Sequence, residues 1–183
     1  MRSDAQRNRG RILQAAHEVF TEGGPHASTE EVARRAGVAI GTVFRHFPTK
    51  ADLLKALMKQ LLRQITDDAA DLATRGDPTT ALFQFFTQLM ERTTADRTAV
   101  SLLADEGLEV STTDSLAPLS DVVQHLLTGG QEAGAIRADV RLDEVMALLD
   151  SVCQGALRAG WDTGLRERTL TIIFRGLAAQ PVS

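Results

Sequence analysis

The chain has 183 residues, 43% of them hydrophobic, with 20 Lys and Arg against 24 Asp and Glu and a formal net charge of −4. That suits one sizeable core plus a small satellite domain of ordinary globular composition. No run of 18 apolar residues offers a membrane span, the polar opening MRSDAQRNRGR lacks the apolar segment of a secretion signal, and the single cysteine, Cys153, excludes an internal disulfide, so a reducing, cytoplasmic setting is expected.

Strand signals are nearly absent: Tyr is missing, and β-branched alternation never persists. Ile12, Ala16, Val19 and Phe20 define a first helix ending at Gly23-Gly24-Pro25. Arg2, Arg7, Arg9 and Arg11 precede or open it, either as a basic arm for phosphates or a minor groove, or as a solubilising terminus. Ser28 and Glu31 have the spacing of a capping box, so a second helix begins near Thr29. Val32, Ala33 and Ala36 share one of its faces. Gly37 stops it, being free to take positive φ, and Val38 plugs the turn. A third helix runs from Ala39 or Ile40 to Phe47, with Ile40, Val43, Phe44 and Phe47 as its expected buried stripe. Pro48 blocks its continuation, and Thr49 caps the next helix.

Leu53, Leu54, Leu57, Leu61 and Ile65 mark that long helix, to about Arg75, before the Gly76-Asp77-Pro78 break. Leu82, Phe83, Phe86, Leu89 and Met90 form the next stripe. Residues 95–110 carry Val100, Leu102, Leu103 and Leu108. Leu116, Leu119, Val122, Val123, Leu126 and Leu127 follow, with an expected end at Gly129-Gly130. Leu142, Val145, Met146, Leu149, Val152, Cys153 and Ala156 make a strongly apolar helix to Trp161. Leu170, Ile173, Phe174 and Leu177 make the last. The expectation is an all-α protein of about nine helices. An N-terminal three-helix domain over residues 7–52 precedes a larger helical domain over 53–183.

Helices two and three, joined through a glycine turn, have the form of a helix-turn-helix DNA reader. Gly41, Thr42, Arg45 and His46 are the polar leftovers of the third helix. Gly41 permits close approach to a groove, and Thr42 offers a hydroxyl to phosphate or a methyl to thymine. Arg45 can bind guanine or clamp a phosphate. His46 and Lys50 can donate to phosphate, as can Ser28 and Thr29 at the start of helix two. Charge agrees: up to Gln60 there are ten Lys and Arg against six Asp and Glu, whereas the remainder has ten against 18.

Residues 9–57 resemble the N-terminal domain of the TetR family of bacterial transcriptional regulators. The family's F-x-x-x-G, I/V-A-x-x-A-G-V and G-T-x-Y-x-H-F-x-x-K-x-x-L elements correspond to Phe20 to Gly24, Val32 to Val38, and Gly41 to Leu53. Two positions depart from the pattern: Phe44 stands where the family usually has Tyr, and Ala39 where it often has Ser. With these two, the expected DNA-contact set is Ser28, Thr29, Ala39, Gly41, Thr42, Phe44, Arg45, His46 and Lys50.

The resemblance implies a homodimer in which the last two helices pack against their mates, through Val145, Leu148, Val152, Leu170, Ile173, Phe174 and Leu177. Two-fold symmetry then presents two readers to a pseudo-palindromic double-stranded operator. It also implies a small-molecule effector, with Phe83, Phe86, Met90, Leu102, Leu103, Leu126, Met146, Leu149 and Trp161 as candidate pocket lining. Glu106, His125, Asp150, Gln154 and Arg158 are candidate polar contacts there.

No catalytic constellation is legible. His17, His26, His46 and His125 are scattered without zinc spacing, and neither a nucleophile elbow nor a phosphate-cradling loop occurs. No metal, cofactor or enzymatic activity is expected. The expected function is a homodimeric repressor released from DNA by a small molecule. An activator, or a regulator controlled by a partner protein, is the alternative; a helical enzyme or ligand-storage module is the reading of another class.

Overall fold

The computed structural model describes residues 2–24, 27–95, 97 and 112–179. Among them the chain forms eight helices: α1 (Arg2–Gly23), α2 (Thr29–Ala36), α3 (Ile40–His46), α4 (Lys50–Arg75), α5 (Ala81–Ala95), α6 (Thr112–Glu132), α7 (Leu142–Ala159) and α8 (Thr163–Leu177). The fold is all-α. Of the segment expected over 95–110, Val100, Leu102, Leu103, Glu106 and Leu108 lie outside the described residues, as does His26. Extended pairing among the described residues is one isolated antiparallel bridge between Ile136 and Ala178.

Two apolar cores form. In the first, Ile12, Val19 and Phe20 of α1 meet Val32 and Ala36 of α2, Val43 and Phe47 around α3, and Leu53, Leu54, Leu57 and Leu61 of α4. In the second, Phe85, Phe86 and Met90 of α5 pack with Val123, Leu126 and Leu127 of α6, Val145 and Leu149 of α7, and Leu170 and Leu177 of α8. The 26-residue α4 contributes to both, through Leu53 to Leu61 in the first and Ala69 in the second. Burying a side chain of this size is worth roughly 1.5–3 kcal/mol. Short helices such as α2 and α3 cannot stand alone in water and depend on that packing.

The helix ends carry the signals read from the sequence. Ser28 Oγ accepts from the Glu31 amide at 3.2 Å, the N-cap that opens α2. Thr49 Oγ1 accepts from the Asp52 amide at 3.0 Å, and Asp52 Oδ2 accepts from the Thr49 amide at 3.2 Å. That reciprocal pair starts α4 immediately after the Pro48 break.

Two boundaries differ from expectation. Helix α1 begins at Arg2, so the basic residues at its start are helical and form no extended arm. Helix α6 runs through Gly129-Gly130 to Glu132. Gly130 is there for close packing: a Cβ on it would sit 2.4 Å from Ile136 Cδ1. Its carbonyl also accepts from the amides of Ala135 at 2.9 Å and Ile136 at 3.1 Å.

Gly37 closes α2 with φ 63° and ψ 40°, and the Val38 amide donates back to the Ala33 carbonyl at 3.0 Å. A Cβ on Gly37 would stand 2.8 Å from Arg11 Nη2. Gly37→Ala is therefore expected to destabilise the first core by about 1–2 kcal/mol, the cost of a left-handed L-residue. Urea unfolding followed by circular dichroism checks this; an unchanged midpoint would show that the turn relaxes freely.

Candidate nucleic-acid interface

Helix α3 is held by two side chains. Val43 is fully buried and Phe47 nearly so, and both belong to the first core. The other two members of the expected buried stripe are not buried: Ile40 is 37% exposed and Phe44 42%. The reason is length. In seven residues the i, i+3, i+4, i+7 pattern spans two turns, and only its 43 and 47 edge faces the core. Ile40 and Phe44 flank that edge and stand exposed, and Gly41 and Arg45 are exposed on the side away from it. Phe44 thus fits the contact set and not the core set.

Space is open at Gly41, where an added Cβ would meet nothing within 4 Å. Ala39 occupies the N-cap and gives no side-chain hydrogen bond, so the first amides of α3 have no capping oxygen from that residue. Thr42 is half-buried, and its amide donates to the Ala39 carbonyl at 2.8 Å. His46 is half-buried with its ring 6.2 Å from that of Phe47. The Lys50 ammonium lies 5.8 Å over the Phe20 ring, a contact that orients it without neutralising it. Arg45 is exposed and enters no ion pair among the described residues.

Arg7, Arg9, Arg11, Arg34 and Arg35 have partners within the chain. Arg11 donates to the Ala36 carbonyl and, at 3.5 Å, to that of Gly37. Arg9 sits over the Phe47 ring at 5.2 Å, and Arg7 pairs with Asp4 at 3.3 Å. Arg34 donates through Nε to Glu31 at 2.8 Å, and Arg35 reaches Glu22 at 2.7 Å and Glu31 at 3.7 Å. Such exposed pairs add little stability, but they remove these guanidinium groups from the pool facing an outside anion. Ser28 is half-buried and occupied by its cap, and Thr29 Oγ1 donates to Glu30 at 3.5 Å. Arg45, His46 and Lys50, with Lys55 and Lys59 further along α4, enter no ion pair among the described residues. Sequence reasoning missed the structural work of Arg9 and Arg11 and the exposure of Ile40. A Phe at a position where the resembled family keeps Tyr was the one available sign that residue 44 faces outward.

In the second core, the described members of the expected pocket lining are brought together as packed core. Phe86, Met90, Leu126 and Leu149 are buried, while Phe83, Met146 and Trp161 are half-buried against them. The rings of Phe83 and Phe174 lie 4.9 Å apart, and those of Phe86 and Phe174 6.0 Å. Leu102 and Leu103 lie outside the described residues. A hollow of about 520 Å³ opens elsewhere, between the later turns of α4 and α5. Asp68, Asp71, Arg75, Gln88, Glu91 and Arg92 are on its charged walls, and an ion pair joins Arg92 to Asp68. It shares no residue with the expected lining. His125, Asp150, Gln154 and Arg158 are exposed.

Of the expected interface residues, Val145, Val152, Leu170 and Leu177 are buried within their own chain, and Leu148, Ile173 and Phe174 are half-buried. The large apolar residues left open on α8 are Leu165, 37% exposed, and Ile172, 73% exposed. Both belong to the surplus of apolar residues that the sequence carries on its last two helices. Cys153 is half-buried, with the Thr93 hydroxyl 3.5 Å from its sulfur, and burial pushes its thiol up. Among the described residues no group of three His, Cys, Asp or Glu side chains could hold a metal ion, and no helix is long and apolar enough to cross a membrane.

Comparison with known proteins matches residues 12–57 to a family of bacterial regulatory proteins, the tetR family. Residues 77–179 match the C-terminal domain of SbtR-like transcriptional regulators. The crystal structure of a TetR transcription regulatory protein from Mycobacterium vanbaalenii is similar, with a TM-score of 0.78 and 36% identity over 97% of this chain and 99% of that one. The TetR transcriptional regulator SCO0520 from Streptomyces coelicolor gives a TM-score of 0.74 at 28% identity, over 94% and 99%. An HTH-type transcriptional regulator of Staphylococcus aureus (strain USA300) is 38% identical over 76 residues, which cover 37% of this chain and 41% of that curated relative.

The Glu31 carboxyl is held below its ordinary value of 4.5, chiefly by the hydrogen bond from Arg34, with the charges of Arg34 and Arg35 adding to it and desolvation opposing. A depressed folded-state pKa means stabilisation present above the unfolded value and lost as pH falls through the folded one. Glu31→Gln is expected to lower the urea midpoint at neutral pH and to converge with wild type in acid. Parallel curves across that range would dissociate Glu31 from acid sensitivity.

Proposed function

This chain belongs to the TetR family of bacterial transcriptional regulators, a family of DNA-binding proteins rather than enzymes, and from that premise we propose that it is a homodimeric repressor released from its operator by a small molecule. The observation that carries the reading is the exposed edge of α3, flanked by Arg45, His46 and Lys50, on a short helix anchored from behind by Val43 and Phe47. A helix presented this way enters a major groove, with phosphate contacts setting its register and base edges setting sequence choice. In this reading Thr42, His46 and Lys50 hold phosphates, with Ser28 and Thr29 at the start of α2. Arg45 and its apolar neighbours face the bases, Gly41 allows close approach, and Ala39 lies at the turn.

We assign DNA binding to residues 7–52 and effector binding and dimerisation to the rest. The effector site we place among Phe83, Phe86, Met90, Leu126, Met146, Leu149 and Trp161. The apolar character of that cluster supports it. A ligand seated there must part side chains that are packed in the described form, so it favours a conformation other than this one. The coupling element we assign is α4, whose early turns belong to the first core and whose later turns belong to the second. Release is then a shift toward dimers whose readers no longer match the half-site spacing. The dimer seam we place on the outer faces of α7 and α8. Leu165 and Ile172 reach the mate, Leu148, Ile173 and Phe174 flank them, and Val145, Val152, Leu170 and Leu177 support the seam from inside.

Three outcomes follow. With a duplex selected by the protein from a random library, the Thr42→Ala, His46→Ala double variant should lose at least tenfold in affinity, since hydrogen bonds to charged groups contribute about 1.5 kcal/mol or more each. Lys50→Ala should make the log-affinity against log-salt slope shallower, because each neutralised phosphate contributes about −0.9. Unchanged affinity in the Thr42, His46 double variant would remove α3 from the DNA. Ile172→Glu should shift sedimentation equilibrium toward monomer while leaving the helical signal intact; an unaffected dimer would place the seam elsewhere.

A further inference from the structure

Among the described residues, four large apolar side chains are prominently exposed, and two of them, Ile40 and Phe44, lie one turn apart on the seven-residue α3. At i, i+4 spacing their side chains are neighbours on one face. Between them in sequence is Gly41, with open space where a side chain would stand, and next to Phe44 is the unpaired cation Arg45. A paired apolar patch beside a free guanidinium is an uncommon surface for water alone to cover. It matches one feature of a major groove: the thymine C5-methyl, the apolar group that the four base pairs display there. Phe44 has no hydroxyl, so its ring cannot donate to phosphate, and Ile40 has no polar atom in its side chain. Neither can serve the backbone-anchoring role that falls to Thr42, His46 and Lys50.

We infer that Ile40 and Phe44 are specificity-determining residues that read thymine through its methyl group, next to a base or phosphate taken by Arg45. This rests on α3 being the DNA reader and goes beyond it by naming the chemistry that two of its residues recognise. Each half-site of the operator then contains thymines whose methyls are desolvated against these side chains.

The test uses the full-length protein and a duplex that it has selected from a random library. Each thymine is replaced in turn by deoxyuridine, which removes the methyl and leaves every hydrogen-bonding group in place. At one or two positions per half-site, wild-type affinity should fall about fourfold, the effect of exposing one buried CH₂-sized group. Phe44→Ala or Ile40→Ala should abolish the thymine-to-uracil ratio at its own position while keeping the salt dependence of binding. Both residues are exposed, and circular dichroism verifies that the variants fold. Tight, salt-dependent binding with no loss at any deoxyuridine would overturn the inference and leave the reader intact. A ratio that survives both substitutions would overturn it as well. Failure of the wild-type protein to select any duplex would instead sink the DNA-reader assignment on which it stands.

Discussion

The turn at Gly37 is the constraint on which the N-terminal core depends. A helix ends with orphan carbonyls, and α2 has only eight residues over which to hold itself together. Gly37 enters the left-handed region, the Val38 amide returns to Ala33, and Arg11 reaches across from α1 to the carbonyls of Ala36 and Gly37. A Cβ on Gly37 would crowd the same guanidinium, the movable end of the Arg11 side chain, while the positive φ itself favours glycine. One turn therefore joins α1 to the end of α2 and sets the direction in which α3 departs. With Val43 and Phe47 as the only deep anchors of α3, its presentation to solvent is decided at that corner.

Charge in this region is partitioned rather than pooled. The first 60 residues hold ten basic side chains, yet Arg7, Arg34 and Arg35 face acids, Arg11 faces carbonyls and Arg9 faces an aromatic ring. These contacts are mostly solvent-exposed and contribute little free energy individually. Arg45 on α3 and Lys50, Lys55 and Lys59 on α4, by contrast, enter no ion pair among the described residues.

The C-terminal core follows a different logic. Its aromatic and aliphatic side chains interlock, with Phe174 meeting both Phe83 and Phe86. Helix α6 passes through two glycines so that Ile136 can close against Gly130. The charged hollow between α4 and α5 shares Leu72 with the edge of this core.

Much of the protein was legible without coordinates, because its signals are local. Ser28, Gly37, Pro48 and Thr49 act on neighbours within four residues, so spacing alone places the ends of α2 and α3 and the start of α4. The all-α class follows likewise from stripes repeated over many turns. What spacing could not decide was which edge of a short helix faces inward, and so Ile40 and Phe44 were assigned to a core they do not enter. Nor could it decide that Gly130 is a packing contact rather than a stop, that Arg9 and Arg11 serve the fold, or that Val145 and Val152 are covered by their own chain. Each of those depends on a partner far away in sequence, and only the tertiary structure brings that partner within reach.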